Sequence, residues 1–238
     1  MYIRKVQIET APGPAVDLGY VEHLPVFQAL KESPLEFSHP VTVFVGDNGA
    51  GKSTLLEALA VAMRFNPDGG FLGARSFTAT GEPTHSPLHQ LLRVSRPENP
   101  RAGYFLRAET HYNQVTKLDR SVSYAGAHRR SHGETVLDVL DDALKDRGLF
   151  LFDEPEAGLS VVSQMAVMGH IALAARRGSQ FIVATHSPII AAVPGADIRS
   201  VSEGGIVQTA YDDTEMVRAT RGFLSDPIGS VDFIIDGV

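Results

Sequence analysis

Gly46, Gly51, Lys52 and Ser53 fall at the spacing G-x-x-x-x-G-K-[ST], within the run Gly46-Asp47-Asn48-Gly49-Ala50-Gly51-Lys52-Ser53-Thr54. That spacing suits a polyphosphate. Glycines let backbone N–H groups turn toward a phosphate chain, and a helix that starts where the loop ends adds partial positive charge. Lys52 is expected to reach the β- and γ-phosphates of ATP and Ser53 to ligate Mg²⁺, with Gly46, Asn48, Gly49, Ala50, Gly51 and Thr54 completing the cradle. A second pair, Asp153-Glu154, closes the apolar run Leu149-Phe150-Leu151-Phe152. Two adjacent acids can divide two tasks: Asp153 holds Mg²⁺ through its water shell, and Glu154 orients and deprotonates an attacking water. Read alone, the same residues make an acidic turn that stops a strand. Beside a phosphate loop, the catalytic reading is preferred.

These groups need strands behind them and helices after them. Val41 to Val45 is β-branched and aromatic, as in a buried strand, and Thr54 to Met63 is rich in Leu, Ala and Glu, as in a helix. Leu149 to Phe152 and Phe181 to Ala184 are continuous apolar strands separated by a helical stretch. Strands of that kind imply a mostly parallel sheet covered on both faces, an α/β P-loop NTPase. Val136, Leu137, Leu140 and Leu144 fall on one face of a helix expected over 134–146. The first forty residues read as strands interrupted by Pro12, Pro14, Pro25, Pro34 and Pro40, and Tyr104 to Tyr112 as one more strand. Both are assigned to an antiparallel β lobe, about 1–40 with 100–115. Beyond the sheet, Ile198 to Tyr211 reads as a hairpin and Asp213 to Leu224 as a closing helix.

Composition narrows the class further. With 238 residues, 43% of them hydrophobic and 21% charged, the chain is long enough for one large domain with a sizeable core. No apolar run is long enough to span a bilayer, so direct membrane insertion is not expected. The absence of cysteine removes disulfides and thiolate metal sites and agrees with a soluble, cytoplasmic protein. A net charge of −7 gives no whole-chain attraction to nucleic acid, although a local basic patch could bind it.

The segment Asp153-Glu154-Pro155-Glu156-Ala157-Gly158-Leu159-Ser160 resembles the Walker B and D-loop of ABC-type ATPases. It is most similar to the SMC and RecF-like branch and to stand-alone bacterial proteins labelled "AAA family ATPase", where DEPEAGL replaces the DEPTSALD of transport ATPases. The resemblance implies a switch histidine after the next strand, and Ala184-Thr185-His186-Ser187-Pro188 supplies His186, which would contact the γ-phosphate. It also implies a signature loop one helix before Walker B. Ser131-His132-Gly133-Glu134 is similar to the last four residues of LSGGE, with Arg130 in place of Leu and His132 in place of Gly. Ser131 and Gly133 would then face ATP held by a second copy. Those four residues also fit a capping box, which is compatible with the signature role.

Other family features have no assigned residue. Gln90 and Gln114 both lie where a Q-loop glutamine is expected, and Tyr20 and Phe27 are both candidates for stacking on adenine. His85 and His89 are four apart, but Pro87 between them argues against a helix-borne metal pair. Lys52 and Ser131 are too close in sequence for an intervening coiled-coil arm, and no heptad pattern separates them. The whole chain, 1–238, is therefore expected to be a single ABC-type ATPase domain. It would hydrolyse ATP with Mg²⁺ as an ATP-sandwich homodimer that drives or times a process carried out by an unidentified partner or effector protein. A nucleotide-binding subunit of a membrane transporter is one alternative. An ATP-gated DNA-repair or defence-associated binding module is another, permitted by Arg129 and Arg130 but unsupported by net charge.

Overall fold

The computed structural model describes residues 1–9, 16–74, 85–107 and 132–236. In chain order the elements are β1 (Lys5–Ile8), α1 (Pro25–Glu32), β2 (Leu35–Glu36), β3 (Val41–Gly46), α2 (Lys52–Ala62), β4 (Gly70–Phe71), β5 (Leu92–Ser95) and β6 (Gly103–Arg107). There follow α3 (His132–Ala143), β7 (Leu149–Asp153), α4 (Val161–Arg176), β8 (Gln180–Ala184), β9 (Asp197–Ser202), β10 (Gly205–Gln208), α5 (Glu215–Ser225) and α6 (Pro227–Asp236). Short 3-10 turns at Gly19–His23 and Pro87–Gln90 flank the first half.

Seven strands form the central sheet in the order β10-β9-β3-β8-β7-β6-β4. The five inner strands are parallel, and β10 and β4 close the edges in antiparallel pairs. Side chains alternate between two faces, and each face has its own helices. Phe150 and Phe152 of β7, with Phe181 and Val183 of β8, pack against Leu140 of α3 and Val167 and Ile171 of α4. Leu149, Leu151 and Ile182 point the other way, onto Leu55, Leu56 and Leu59 of α2. The uninterrupted apolar runs in the sequence are those of strands covered on both sides. A separate three-stranded sheet, β2-β1-β5, is antiparallel throughout.

Three elements depart from the sequence expectation. Residues 25–32, read as part of a broken strand region, form α1, because Pro25 stands at the first helical position, where its fixed φ helps and its missing N–H costs nothing. The strand read over 104–112 is β6, Gly103–Arg107; it pairs parallel with β7 and so belongs to the central sheet, while the antiparallel sheet takes Leu92–Ser95. Residues 108–112 lie outside the described residues. Finally, α5 does not close the chain: Pro227 starts α6, which buries no residue and exposes Ile228, Phe233, Ile234 and Ile235. Among the described residues no helix is long and apolar enough to cross a membrane.

The small sheet is fastened to the large one by a side chain. Gln180, 1% exposed at the start of β8, accepts the N–H groups of Tyr2 and Ile3 through Oε1 at 2.7 and 2.8 Å and donates from Nε2 to the Ile3 carbonyl at 2.8 Å. It acts as a short length of strand for the residues leading into β1. Gln180→Leu leaves three backbone groups unpaired in a buried place, so urea denaturation should show a loss of about 3 kcal/mol of unfolding free energy.

Candidate functional site

Because β8 lies between β3 and β7, the loops leaving the C-terminal ends of these three strands meet at one edge of the sheet, where ligands bind in open α/β folds. The first is the glycine loop. Gly51, with φ at +93°, caps α2, and a Cβ there would collide with Val26 of α1. The Val26 N–H donates to the Ala50 carbonyl at 3.1 Å, so α1 braces the loop from behind. Ala50 and Gly51 are buried, Asn48 and Gly49 are exposed at the mouth, and Thr54 is half-buried in the first turn of α2.

Lys52, 5% exposed, folds back under the loop, with Nζ donating to the carbonyls of Gly46 at 2.7 Å and Asp47 at 2.8 Å. Burial lowers its ammonium pKa, while Glu154, Asp153, Asp47 and Glu156 pull the other way. One turn into the site, Ser53 Oγ donates to Asp153 Oδ1 at 2.8 Å. The two residues assigned to Mg²⁺ from sequence are therefore in direct contact. Glu154 has φ at +50°, which is unusual for a residue with a Cβ, and its N–H donates to the Ala184 carbonyl at 2.9 Å. This conformation turns its carboxylate toward His186, with Oε1 4.0 Å from Nε2. Both side chains are partly open, at 46% and 39% exposure.

The structure brings together Lys52, Ser53, Asp153, Glu154 and His186. Gly133 lies in the first turn of α3, whereas Ser131 falls outside the described residues, as do Gln114, Arg129 and Arg130. Gln90 ends the 3-10 turn at Pro87–Gln90. Of the two aromatic candidates, Phe27 is core, packed with Leu88 and Ala58, and Tyr20 is exposed. The rings of His85 and His89 lie 4.8 Å apart, and His89 Nδ1 is 2.9 Å from the Ser86 carbonyl. A cleft of about 390 Å³ opens beside the loop, bordered by Asp47, Asn48, His186, Ser202, Glu215 and Met216.

Sequence reasoning missed a buried ion pair next to the site. Glu57, 6% exposed and one helical turn after Ser53, accepts Arg107 Nη1 at 2.6 Å and the Ser86 N–H at 2.6 Å. Arg107 ends β6 in register with Asp153, and also donates to the Pro67 carbonyl at 3.1 Å. Glu57 ties the phosphate-loop helix to the strand beside Asp153. The available signal was an acid in the middle of the otherwise apolar run Leu55 to Ala60.

Among the described residues no group of three or more His, Asp or Glu side chains is placed to hold a metal ion. A hydroxyl and a carboxylate side by side are hard oxygen donors that fit Mg²⁺, which takes few protein ligands and completes its shell with water and phosphate oxygens.

Residues 24–87 match the family model described as "AAA domain", and residues 119–192 the model described as "AAA domain, putative AbiEii toxin, Type IV TA system". The two matches contain the glycine loop and the acidic and histidine segments, respectively. The chain is a P-loop NTPase of the AAA and ABC-ATPase class. It is an ATP-binding module. It is similar to the hemin import ATP-binding protein HmuV of Idiomarina loihiensis, 24% identical over 172 residues, which is 63% of this chain and 66% of that protein. HmuV of Rhodopseudomonas palustris is 27% identical over 165 residues, 60% of this chain and 63% of its own length. The chain therefore spans just under two thirds of these relatives. The SMC head domain from Thermotoga maritima aligns at 16% identity with a TM-score of 0.47, covering 88% of this chain and 100% of that one.

For this NTPase the Ser53–Asp153 contact gives a direct test. Asp153→Asn keeps an acceptor for Ser53 but removes the charge. Its affinity for a fluorescent ATP analogue should fall about tenfold when Mg²⁺ is present and stay near wild type in EDTA.

Proposed function

We propose that this P-loop NTPase hydrolyses ATP with Mg²⁺ as a homodimer closed around two nucleotides, and that the opening and closing of that dimer drives or times the action of a partner protein. The observation that carries the reading is the convergence of Lys52, the Ser53–Asp153 pair and the Glu154–His186 pair at the ends of three adjacent parallel strands. Each has a separate task. Lys52 leaves two loop carbonyls to bind the β- and γ-phosphates, a position for which burial has already removed its water. Ser53 and Asp153 would hold Mg²⁺, which would supply positive charge against the phosphates and the transition state. Glu154 accepts the proton of the attacking water, and His186, within reach of the same carboxylate, contacts the γ-phosphate.

A second copy supplies what one chain lacks. Gly133, in the first turn of α3, and Ser131, which precedes it in sequence, would present helix N-terminal amides and a hydroxyl to the γ-phosphate of the facing chain. Beside the acidic turn, α4 begins with exposed Val161, Val162 and Met165, and Val162 is 75% exposed. Apolar side chains at the rim of a charged site suit contact with protein rather than with water. Both γ-phosphates favour the closed dimer, and hydrolysis removes that preference.

In Glu154→Gln, light scattering with ATP and Mg²⁺ should show a stable dimer that wild type does not retain, and phosphate release should fall by about 10²- to 10⁴-fold. A variant that binds ATP and stays monomeric sinks the shared-site mechanism.

A second reading, the nucleotide-binding subunit of a membrane transporter, is favoured by the likeness to the two hemin import proteins. It requires a membrane-spanning partner. If detergent extracts yield a stable complex of the chain with such a subunit, and ATP turnover in that complex responds to a transported solute, this reading replaces the first.

A further inference from the structure

The parallel ladder of β7 and β8 ends at Asp153 and Ala184, after which the chains part into the acidic turn and the His186 loop. One backbone bond persists beyond it, from the Glu154 N–H to the Ala184 carbonyl. The next donor, the His186 N–H, is met instead by a side chain: Glu156 Oε1 accepts it at 2.6 Å. The carboxylate stands where a strand carbonyl would. Its other oxygen, Oε2, is buried with no hydrogen-bond partner among the described residues. A second bridge comes from α4. Gln164 Nε2 donates to the Leu159 carbonyl at 3.1 Å, at the end of the acidic turn, and Gln164 Oε1 accepts Ser187 Oγ at 2.6 Å. Ser187 Oγ in turn accepts the N–H groups of Ile189 and Ile190 at 3.1 and 3.2 Å, which fixes the rest of the histidine loop.

We propose that Glu156 and Gln164 are positioning residues, a two-point clip that joins the acidic turn to the histidine loop and sets His186 against Glu154. The Glu154 and His186 side chains are both partly open to solvent, so packing does not fix their 4.0 Å separation. The backbone must hold it. On the acidic side the backbone is a left-handed residue within a turn closed by the bonds from Ala157 N–H to Glu154 O and from Leu159 N–H to Glu156 O. On the histidine side it is held by Glu156 and Ser187. Any displacement of the turn, including one imposed by a protein docked on α4, is therefore passed to His186 through these two side chains. Glu156 acts here as an acceptor, so an amide of the same shape can replace it.

The effect on turnover rests on the ATPase reading above; the effect on the loop does not. The test uses the full chain with Glu156→Ala, Glu156→Gln and Gln164→Ala. Amide hydrogen exchange over residues 185–192 should rise about tenfold in the two alanine variants and stay at the wild-type rate in Glu156→Gln. In steady-state assays, kcat should drop about tenfold in the alanine variants, with KM for ATP within about twofold of wild type and with Glu156→Gln restoring turnover. Wild-type exchange in Glu156→Ala, or exchange in Glu156→Gln as fast as in Glu156→Ala, overturns the clip. Unchanged kcat in an active Glu156→Ala enzyme overturns the positioning role. If the exchange pattern appears but wild type does not hydrolyse ATP, the clip stands and the ATPase reading fails.

Discussion

Ser53 Oγ and Asp153 Oδ1 join the start of α2 to the end of β7 across a hundred residues of sequence, and the site is built around that 2.8 Å bond. It can form only because β7 stands one strand away from β3, with β8 between, so that a helix leaving β3 passes over the ends of its neighbours. Glu57 and Arg107 make a similar connection one turn further along α2, from the same helix to the next strand out. The two ties fix the rotation of α2 about its axis. That rotation decides where the first-turn amides and Lys52 point, and hence where a phosphate chain can lie.

The charge pattern follows from the same geometry. Asp47, Asp153, Glu154 and Glu156 all act on Lys52, which is buried beneath them. A polyanion entering this place meets carboxylates as well as donors. Its affinity then depends on compensating positive charge.

How much of this could be read from the sequence depended on how local the cause was. β3, β7 and β8 were legible because burial on both faces demands an unbroken apolar run, and the glycine loop because backbone conformation demands particular residues at fixed offsets. The hairpin of β9 and β10 was legible from its glycine turn. Proline misled at Pro25, which begins a helix here although the same residue in another place interrupts a strand, and the helix that Pro227 begins was not read at all. β6 was found but assigned to the wrong sheet, since a strand's own residues do not say which neighbour it will take. Gln180, Arg107 and Gln164 were invisible as functional groups, because each acts on a partner far away in sequence or on a backbone atom, and neither leaves a pattern; Glu57 left only the trace of an acid within an apolar run.

The strand that carries the phosphate loop has both its partners late in the chain. β3 ends at Gly46, yet it is flanked by β8 and β9, which begin at Gln180 and Asp197. During synthesis the run Val41 to Val45 therefore leaves the ribosome long before anything exists to pair with it, and more than half of the chain must follow before the central sheet can close around it. A non-local pairing of this kind folds slowly and leaves a β-prone apolar segment open to association with other chains in the meantime. The pairings that hold the strand of the nucleotide-binding loop thus become possible only after β8 and β9 have been made.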